Sequence, residues 1–125
     1  MAPTPPLPSI ALGKLISAAR KGRYGHRDTT LILIMARHGL RVTEAVDLEW
    51  QQIDFTRAHL HVRRLKGGTA SVHPFQGDEL RALRELRRQS QGAFVFASER
   101  GGPMTRFNVS KMVEAAGERA GSAHA

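Results

Sequence analysis

The stretch Ala36-Arg-His-Gly-Leu-Arg-Val-Thr-Glu-Ala-Val-Asp-Leu48 decides the fold, because it joins two helices through a single glycine. The residues before it, Leu31–Met35, are apolar on all sides of a helix, which is typical of a helix in the middle of a core. Gly39 predicts the end of that helix. A short third helix follows, with Glu44 in its first turn, as the helix dipole favours. Arg41 therefore lies on a turn between two helices, where we expect it to be held in place.

Two further helix signals precede this stretch. Ser9 is a favourable N-cap for a helix over residues 10–21, and Gly22 predicts the end of that helix. Asp28 is predicted to cap the second helix. Residues 1–8 are rich in proline, and we expect a flexible arm there.

Downstream of Trp50, apolar residues recur at a period of two, which predicts β-strands. The three predicted strands are marked by Ile53 and Phe55, by Leu60 and Val62, and by Val72 and Phe75. Lys66-Gly-Gly-Thr69 predicts a hairpin turn between the second and third strands.

Helical spacing returns at Gly77, where a further helix is predicted to begin. Its inward-facing positions are Leu80, Leu83 and Leu86. Phe94–Phe96 predicts a short strand or extended segment, and Thr105 predicts the cap of a last helix. This order predicts an α+β fold that is mainly helical with a small three-stranded antiparallel sheet. We expect one domain over residues 9–121 and a frayed terminus at 122–125.

The composition favours a nucleic-acid partner. Lys and Arg number 19 against 11 Asp and Glu, a net charge of +8 over 125 residues. The basic residues are mostly arginine, whose planar guanidinium suits bidentate contacts to phosphate. An anionic membrane surface is the alternative, but the chain has no basic amphipathic helix with aromatic anchors. The chain has no cysteine, which fits a cytoplasmic protein, and no apolar run long enough to span a membrane.

Three residues have the chemistry needed to transfer a phosphodiester. Arg41 is able to donate two parallel N–H bonds to a phosphate, and Glu44 to hold Arg41 or a neighbouring group in place. Lys66 is able to protonate a leaving 5′ oxygen if its pKa is lowered.

Simpler explanations stay open for each of these signals. Arg41 and Glu44 have the spacing of a surface ion pair. Lys66, beside two glycines, is also typical of an ordinary hairpin tip. The arginines of the helix after Gly77 have the spacing of a solvated face. His59 and His61 alternate on a strand as metal ligands do, but no third ligand is placed near them, so we expect no metal site.

The segment His38-Gly-Leu-Arg-Val-Thr-Glu-Ala-Val-Asp-Leu48, followed by Ile53-Asp-Phe55, resembles the first conserved box of tyrosine recombinases, the phage integrase family. Val62-Arg-Arg-Leu-Lys-Gly-Gly68 and His73-Pro74 are similar to the family's sheet, where a lysine lies in the turn between the second and third strands. The likeness continues through Gly101–Thr105 as far as Gly121, and is close to the short integrases that invert fimbrial promoter segments.

The resemblance implies site-specific DNA recombination, with strand cleavage and rejoining through a phosphotyrosine link. It implies that Arg41 is the first catalytic arginine, Glu44 the acidic buttress and Lys66 the general acid. The predicted DNA-binding residues are Arg37, His38, Arg63 and Arg64. Such enzymes act on double-stranded DNA as tetramers, and they need no cofactor.

The sequence departs from the family pattern after Gly121. The family continues with a His-x-x-Arg box and a nucleophilic tyrosine, whereas the only tyrosine here is Tyr24, upstream of Arg41. We interpret His124 as part of the frayed terminus. The sequence therefore predicts a truncated catalytic domain that binds DNA without cleaving it and has some tendency to self-associate. The alternatives are a non-catalytic DNA-binding protein derived from an integrase, and a protein-interaction module.

Overall fold

Helices and strands follow one another in the predicted order. The computed structural model describes residues 9–62 and 70–122. Within them the elements are α1 (Ser9–Arg20), α2 (Gly25–His38), α3 (Val42–Val46), β1 (Ile53–Asp54), β2 (His59–Val62), β3 (Ser71–Pro74), α4 (Gly77–Gln89) and α5 (Arg106–Ser122), with a 3-10 turn at Trp50–Gln52. The predicted α+β class is therefore confirmed.

The α2 helix lies between two groups of buried side chains. Leu31 and Ile34 are fully buried in the larger core, which they share with the sheet, α4 and the start of α5. Ile32, one residue along, packs instead among the alanines of α1 and Ala116 of α5. A helix that is apolar on all sides is therefore covered on more than one face, as its sequence predicts.

The three strands form one antiparallel sheet in the order β1-β2-β3. Leu60 of β2 pairs with Ile53 on one side and His73 on the other. Leu60 and Val62 are buried, whereas His61 between them is exposed, so the alternation predicted from the sequence is confirmed. The sheet thus covers the core with one face.

Two strand assignments from the sequence were too long. Phe55 does not belong to β1, because the Asp54 carboxylate accepts the backbone N–H of Arg57 and starts a turn there. Its ring stacks instead on the buried Trp50, at 6.3 Å between centroids. Phe75 follows β3 rather than ending it, and its side chain is buried.

The segment at Phe94–Phe96 forms an isolated bridge, between Phe94 and Glu49, and then bends at Val95 and Phe96. The N–H of Val95 donates to the carbonyl of Leu48 at 2.9 Å. The last helix, α5, begins as predicted, because the Thr105 hydroxyl accepts the N–H of Asn108 at 3.0 Å. The first two contacts hold the segment at Phe94 and Val95 against the residues that follow α3.

Asp28 does not cap α2, which begins three residues earlier, at Gly25. Its side chain is only 9% exposed and lies 2.9 Å from the guanidinium of Arg27. Burial raises the pKa of Asp28 above its ordinary value, and the charge of Arg27 opposes that shift. An aspartate near a helix start looks like a cap in sequence even when it forms a buried ion pair inside the first turn.

The predictions for residues 1–8, for the hairpin at Lys66–Thr69 and for residues 123–125 lie outside the described residues. None of the helices in the described part of the chain is both long and apolar enough to cross a membrane.

Candidate active site

Arg41 lies at the junction of α2 and α3. Gly39 ends α2 in the left-handed conformation, with φ of 63°, and the N–H of Leu40 bonds back to the carbonyl of Met35 at 3.1 Å. Leu40 is buried and anchors the turn in the core. Arg41 is extended, with φ of −73° and ψ of 157°, and its side chain is exposed. The sequence therefore builds a short rigid turn that presents an arginine to solvent.

Glu44 fixes this turn from the first turn of α3. Its Oε1 accepts the backbone N–H of Arg41 at 2.8 Å. The bond joins the side chain of Glu44 to the main chain of Arg41, and it holds the backbone from which the guanidinium extends. This arrangement restricts the backbone of Arg41, which lowers the entropic cost of binding a ligand through its side chain.

Arg37 and His38, both predicted to bind DNA, differ in exposure. Arg37 is at the surface and pairs with Asp78 of α4 at 2.5 Å. The hydrogen bond from Arg37 holds the pKa of Asp78 below its ordinary value. The side chain of His38 is only 5% exposed, and its Nε2 lies 2.8 Å from Oε1 of Glu79. His38 therefore lies beneath the surface from which Arg37 projects.

Glu79 is a residue of this region that the sequence did not indicate. It is 1% exposed, and its second oxygen accepts the backbone N–H of Gln76 at 2.6 Å. An acidic residue at the third position of a helix is a common capping residue, and that signal was present in the sequence. The burial of its carboxylate against His38 has no local signal, because the partners are 41 residues apart.

A cleft of about 270 Å³ opens beside this buried pair. Its lining residues are Arg37, His38, Val72, His73, Pro74, Gln76 and Glu79. The cleft connects the end of α2 to β3, the strand that follows the Lys66 segment. The hydroxyl of Ser71 lies 3.0 Å from Nε2 of His73, which fixes the near edge of the strand.

Lys66, Arg63 and Arg64 lie outside the described residues. The strands on either side of them are described, and Val62 of β2 pairs with Ser71 of β3. The structure therefore gives the positions of the two strand ends, Val62 and Ser71, that flank these three predicted residues in the sequence.

Tyr24 is remote from Arg41. It precedes α2, whose 14 residues at about 1.5 Å each separate it from the Arg41 turn by roughly 20 Å. Its hydroxyl oxygen is buried, and the guanidinium of Arg27 lies 4.3 Å from its ring centroid. Tyr24 therefore cannot act on a phosphate held by Arg41.

The fold and this junction define a class of protein: a basic α+β domain that presents an arginine on a turn clamped by a glutamate. The chain belongs to the phage integrase family, whose model matches residues 7–125. It is 35% identical over 115 residues to the type 1 fimbriae regulatory protein FimE of Escherichia coli K12, a match that covers 86% of this chain and 58% of FimE. It is 29% identical to FimB of the same strain over 113 residues, or 86% of this chain and 56% of FimB. The chain thus spans a little over half the length of these relatives.

Solved recombinase structures have the same fold. The XerA recombinase matches 97% of this chain and 44% of its own, with a TM-score of 0.77 and 21% identity. The catalytic core of lambda integrase matches 94% of this chain and 71% of its own, with a TM-score of 0.75 and 21% identity. The mainly helical architecture with a three-stranded sheet is that of an integrase catalytic core.

Proposed function

We propose that this chain is the part of a site-specific DNA recombinase that binds the scissile phosphate. The observation that carries the proposal is the Arg41 turn, an exposed arginine whose backbone is clamped by Glu44 within a domain of the phage integrase family. Lambda integrase, which has the same fold with a TM-score of 0.75, has been solved as a tetramer bound to a Holliday junction. The net charge of +8 is consistent with a polyanionic partner.

In the proposed reaction, the guanidinium of Arg41 binds two non-bridging oxygens of the phosphate and stabilises the charge that develops there. A tyrosine hydroxyl loses its proton to solvent and attacks phosphorus, a 3′-phosphotyrosyl bond forms and the bond to the 5′ oxygen breaks. Lys66 gives a proton to that leaving oxygen. The 5′-hydroxyl of a second strand then attacks the phosphotyrosyl bond and releases the tyrosine. The bond energy is conserved, so the reaction requires no nucleotide cofactor, and the proposed cationic side chains stabilise the phosphate charge in place of a metal.

The nucleophile of this reaction is not Tyr24, because roughly 20 Å separate it from Arg41. We therefore propose that the 125-residue chain alone binds double-stranded DNA in the cytoplasm without cleaving it. Arg37, Arg63 and Arg64 are the proposed additional phosphate contacts, and His38 is proposed to support DNA binding from its buried position. In a complete recombinase, this domain would assemble with other copies on DNA.

The test measures affinity for a DNA duplex as a function of salt, and adduct formation with a nicked suicide substrate. Phosphate binding releases counterions, so log K should fall steeply and linearly with log salt concentration. The denatured chain should carry no covalent DNA. DNA affinity that does not depend on salt would favour a protein-interaction module. A covalent adduct would contradict the proposal that this chain, in which Tyr24 is not the nucleophile, cannot cleave DNA. Salt-dependent binding without an adduct, even in a form that contains a downstream tyrosine, would favour the non-catalytic DNA-binding protein.

A further inference from the structure

The imidazole of His38 is buried between three elements. Its ring centroid lies 5.3 Å from that of Phe75, edge-on, and 5.5 Å from that of His73 in β3. Its Nε2 contacts the Glu79 carboxylate of α4 at 2.8 Å. The last side chain of α2 is therefore held by the sheet and by α4 at once.

Glu79 uses both of its oxygens in this contact region. One meets His38, and the other accepts the N–H of Gln76 at 2.6 Å, where the chain passes from β3 into α4. A carboxylate that is 1% exposed is stable only when such donors replace its lost water. The pair therefore ties the end of α2 to the beginning of α4 through one buried group.

Only Gly39 and Leu40 separate His38 from Arg41. Gly39 is fixed at φ 63° and Leu40 is buried, so a shift of His38 carries directly into the turn that presents Arg41. The ring of His38 also contacts His73 of β3. This strand pairs with β2, and the sequence between the two strands contains Lys66. The same buried pair thus connects the two parts of the chain that bear the proposed phosphate-binding arginine and the proposed general acid.

We infer that His38 and Glu79 form a positioning pair that sets the Arg41 turn relative to the β2–β3 strands. His38 then serves DNA binding without contacting DNA. This inference rests on the proposed function for its DNA readout, although the geometry of the turn can be measured without DNA. Phosphate transfer requires donors that are fixed to within a fraction of an ångström. A buried pair at this position would supply that precision by restricting the Arg41 turn.

The first experiment compares amide hydrogen exchange in wild type, His38→Ala, and His26→Ala as a matched control. His26 also connects α2 to α4, through Nε2 and the carbonyl of Ala82 at 2.9 Å, but at the opposite end of the helix. In His38→Ala, the N–H of Arg41 should exchange about tenfold faster than in His26→Ala, with the change concentrated in the Arg41 turn. Equal acceleration along the whole of α2 in both variants would overturn the inference, whether or not the chain binds DNA.

The second experiment is a double-mutant cycle on affinity for a DNA duplex. Arg41→Ala should weaken binding about tenfold, and His38→Ala about threefold, because the latter acts through Arg41. In the Arg41→Ala background, His38→Ala should cause no further loss. His38→Gln, whose amide can donate to Glu79, should restore most of the affinity. Independent losses from His38 and Arg41 would contradict the positioning role, whereas a wild-type chain without salt-dependent binding would contradict the proposed function instead.

Discussion

The substitution Glu79→Ala tests how much the buried contact between His38 and Glu79 contributes to the free energy of unfolding. The substitution removes the acceptor for His38 at 2.8 Å and the acceptor for the N–H of Gln76 at 2.6 Å, from a residue that is 1% exposed. Leaving a buried polar group without its hydrogen-bond partner costs about 1–3 kcal/mol, and here the ring of His38 and the N–H of Gln76 both lose their acceptor. We therefore expect the free energy of unfolding to fall by about 2–4 kcal/mol, a large part of the stability of a small domain.

Asp78→Ala is the matched control, one residue earlier in the same helix turn. Asp78 pairs with Arg37, but the two side chains are 44% and 33% exposed, so solvent screens the pair and its loss should cost about 1 kcal/mol or less. The assay is urea denaturation followed by circular dichroism, with the slope m compared between variants. Glu79→Gln keeps one acceptor oxygen and should lose about half as much as Glu79→Ala. A loss in Glu79→Ala no larger than that in Asp78→Ala would refute the reasoning.

Three further outcomes follow from single contacts. Gly39→Ala should destabilise by about 1–2 kcal/mol in urea denaturation, because its φ of 63° strains any side chain. Gly102→Ala, which also has open space for a methyl group but no positive φ, should change stability much less, and equal losses would contradict this cause. Thr105→Ala should cost about 1 kcal/mol by removing the cap of α5, and unchanged thermal unfolding would show that the cap is dispensable. The pKa of Asp78 is lower in the folded state than in the unfolded state, where it is about 3.9. The pair with Arg37 therefore stabilises the fold fully at pH values above about 3.9, and this stabilisation is lost as the pH falls through the folded-state pKa. Asp78→Asn should therefore narrow the stability difference from wild type as the pH is lowered from 6 to 2, and a constant difference would refute the assignment.

The sequence predicted those features that depend on local patterns. The stop at Gly39, the cap at Thr105 and the buried positions of β2 each follow from a residue type in a short stretch, and the structure confirms all three. The sequence also predicted that Glu44 holds Arg41 in place, and the observed bond does so through the backbone N–H of Arg41, as a glutamate at the third position of a helix commonly does.

The sequence failed where a partner is distant in the chain. His38 was predicted to bind DNA, which stays a prediction, but its contact with Glu79, 41 residues away, had no signal in the sequence. Asp28 looked like a cap because its burial depends on tertiary packing. Phe55 continued the period of two past the point where the Asp54 turn ends β1. Packing against other parts of the fold decided the outcome for His38 and Asp28, whereas a local turn decided it for Phe55.

The salt dependence of DNA binding by wild type and Arg41→Ala tests the central claim most directly. If the clamped guanidinium of Arg41 binds a phosphate, Arg41→Ala should reduce the slope of log K against log salt concentration by about 0.9. Arg88→Ala is the matched control, because it removes the same charge from an exposed pair with Glu85 on α4. We predict a reduced slope for Arg41→Ala and an unchanged slope for Arg88→Ala. Equal slopes for wild type and Arg41→Ala would show that Arg41 does not bind the DNA backbone.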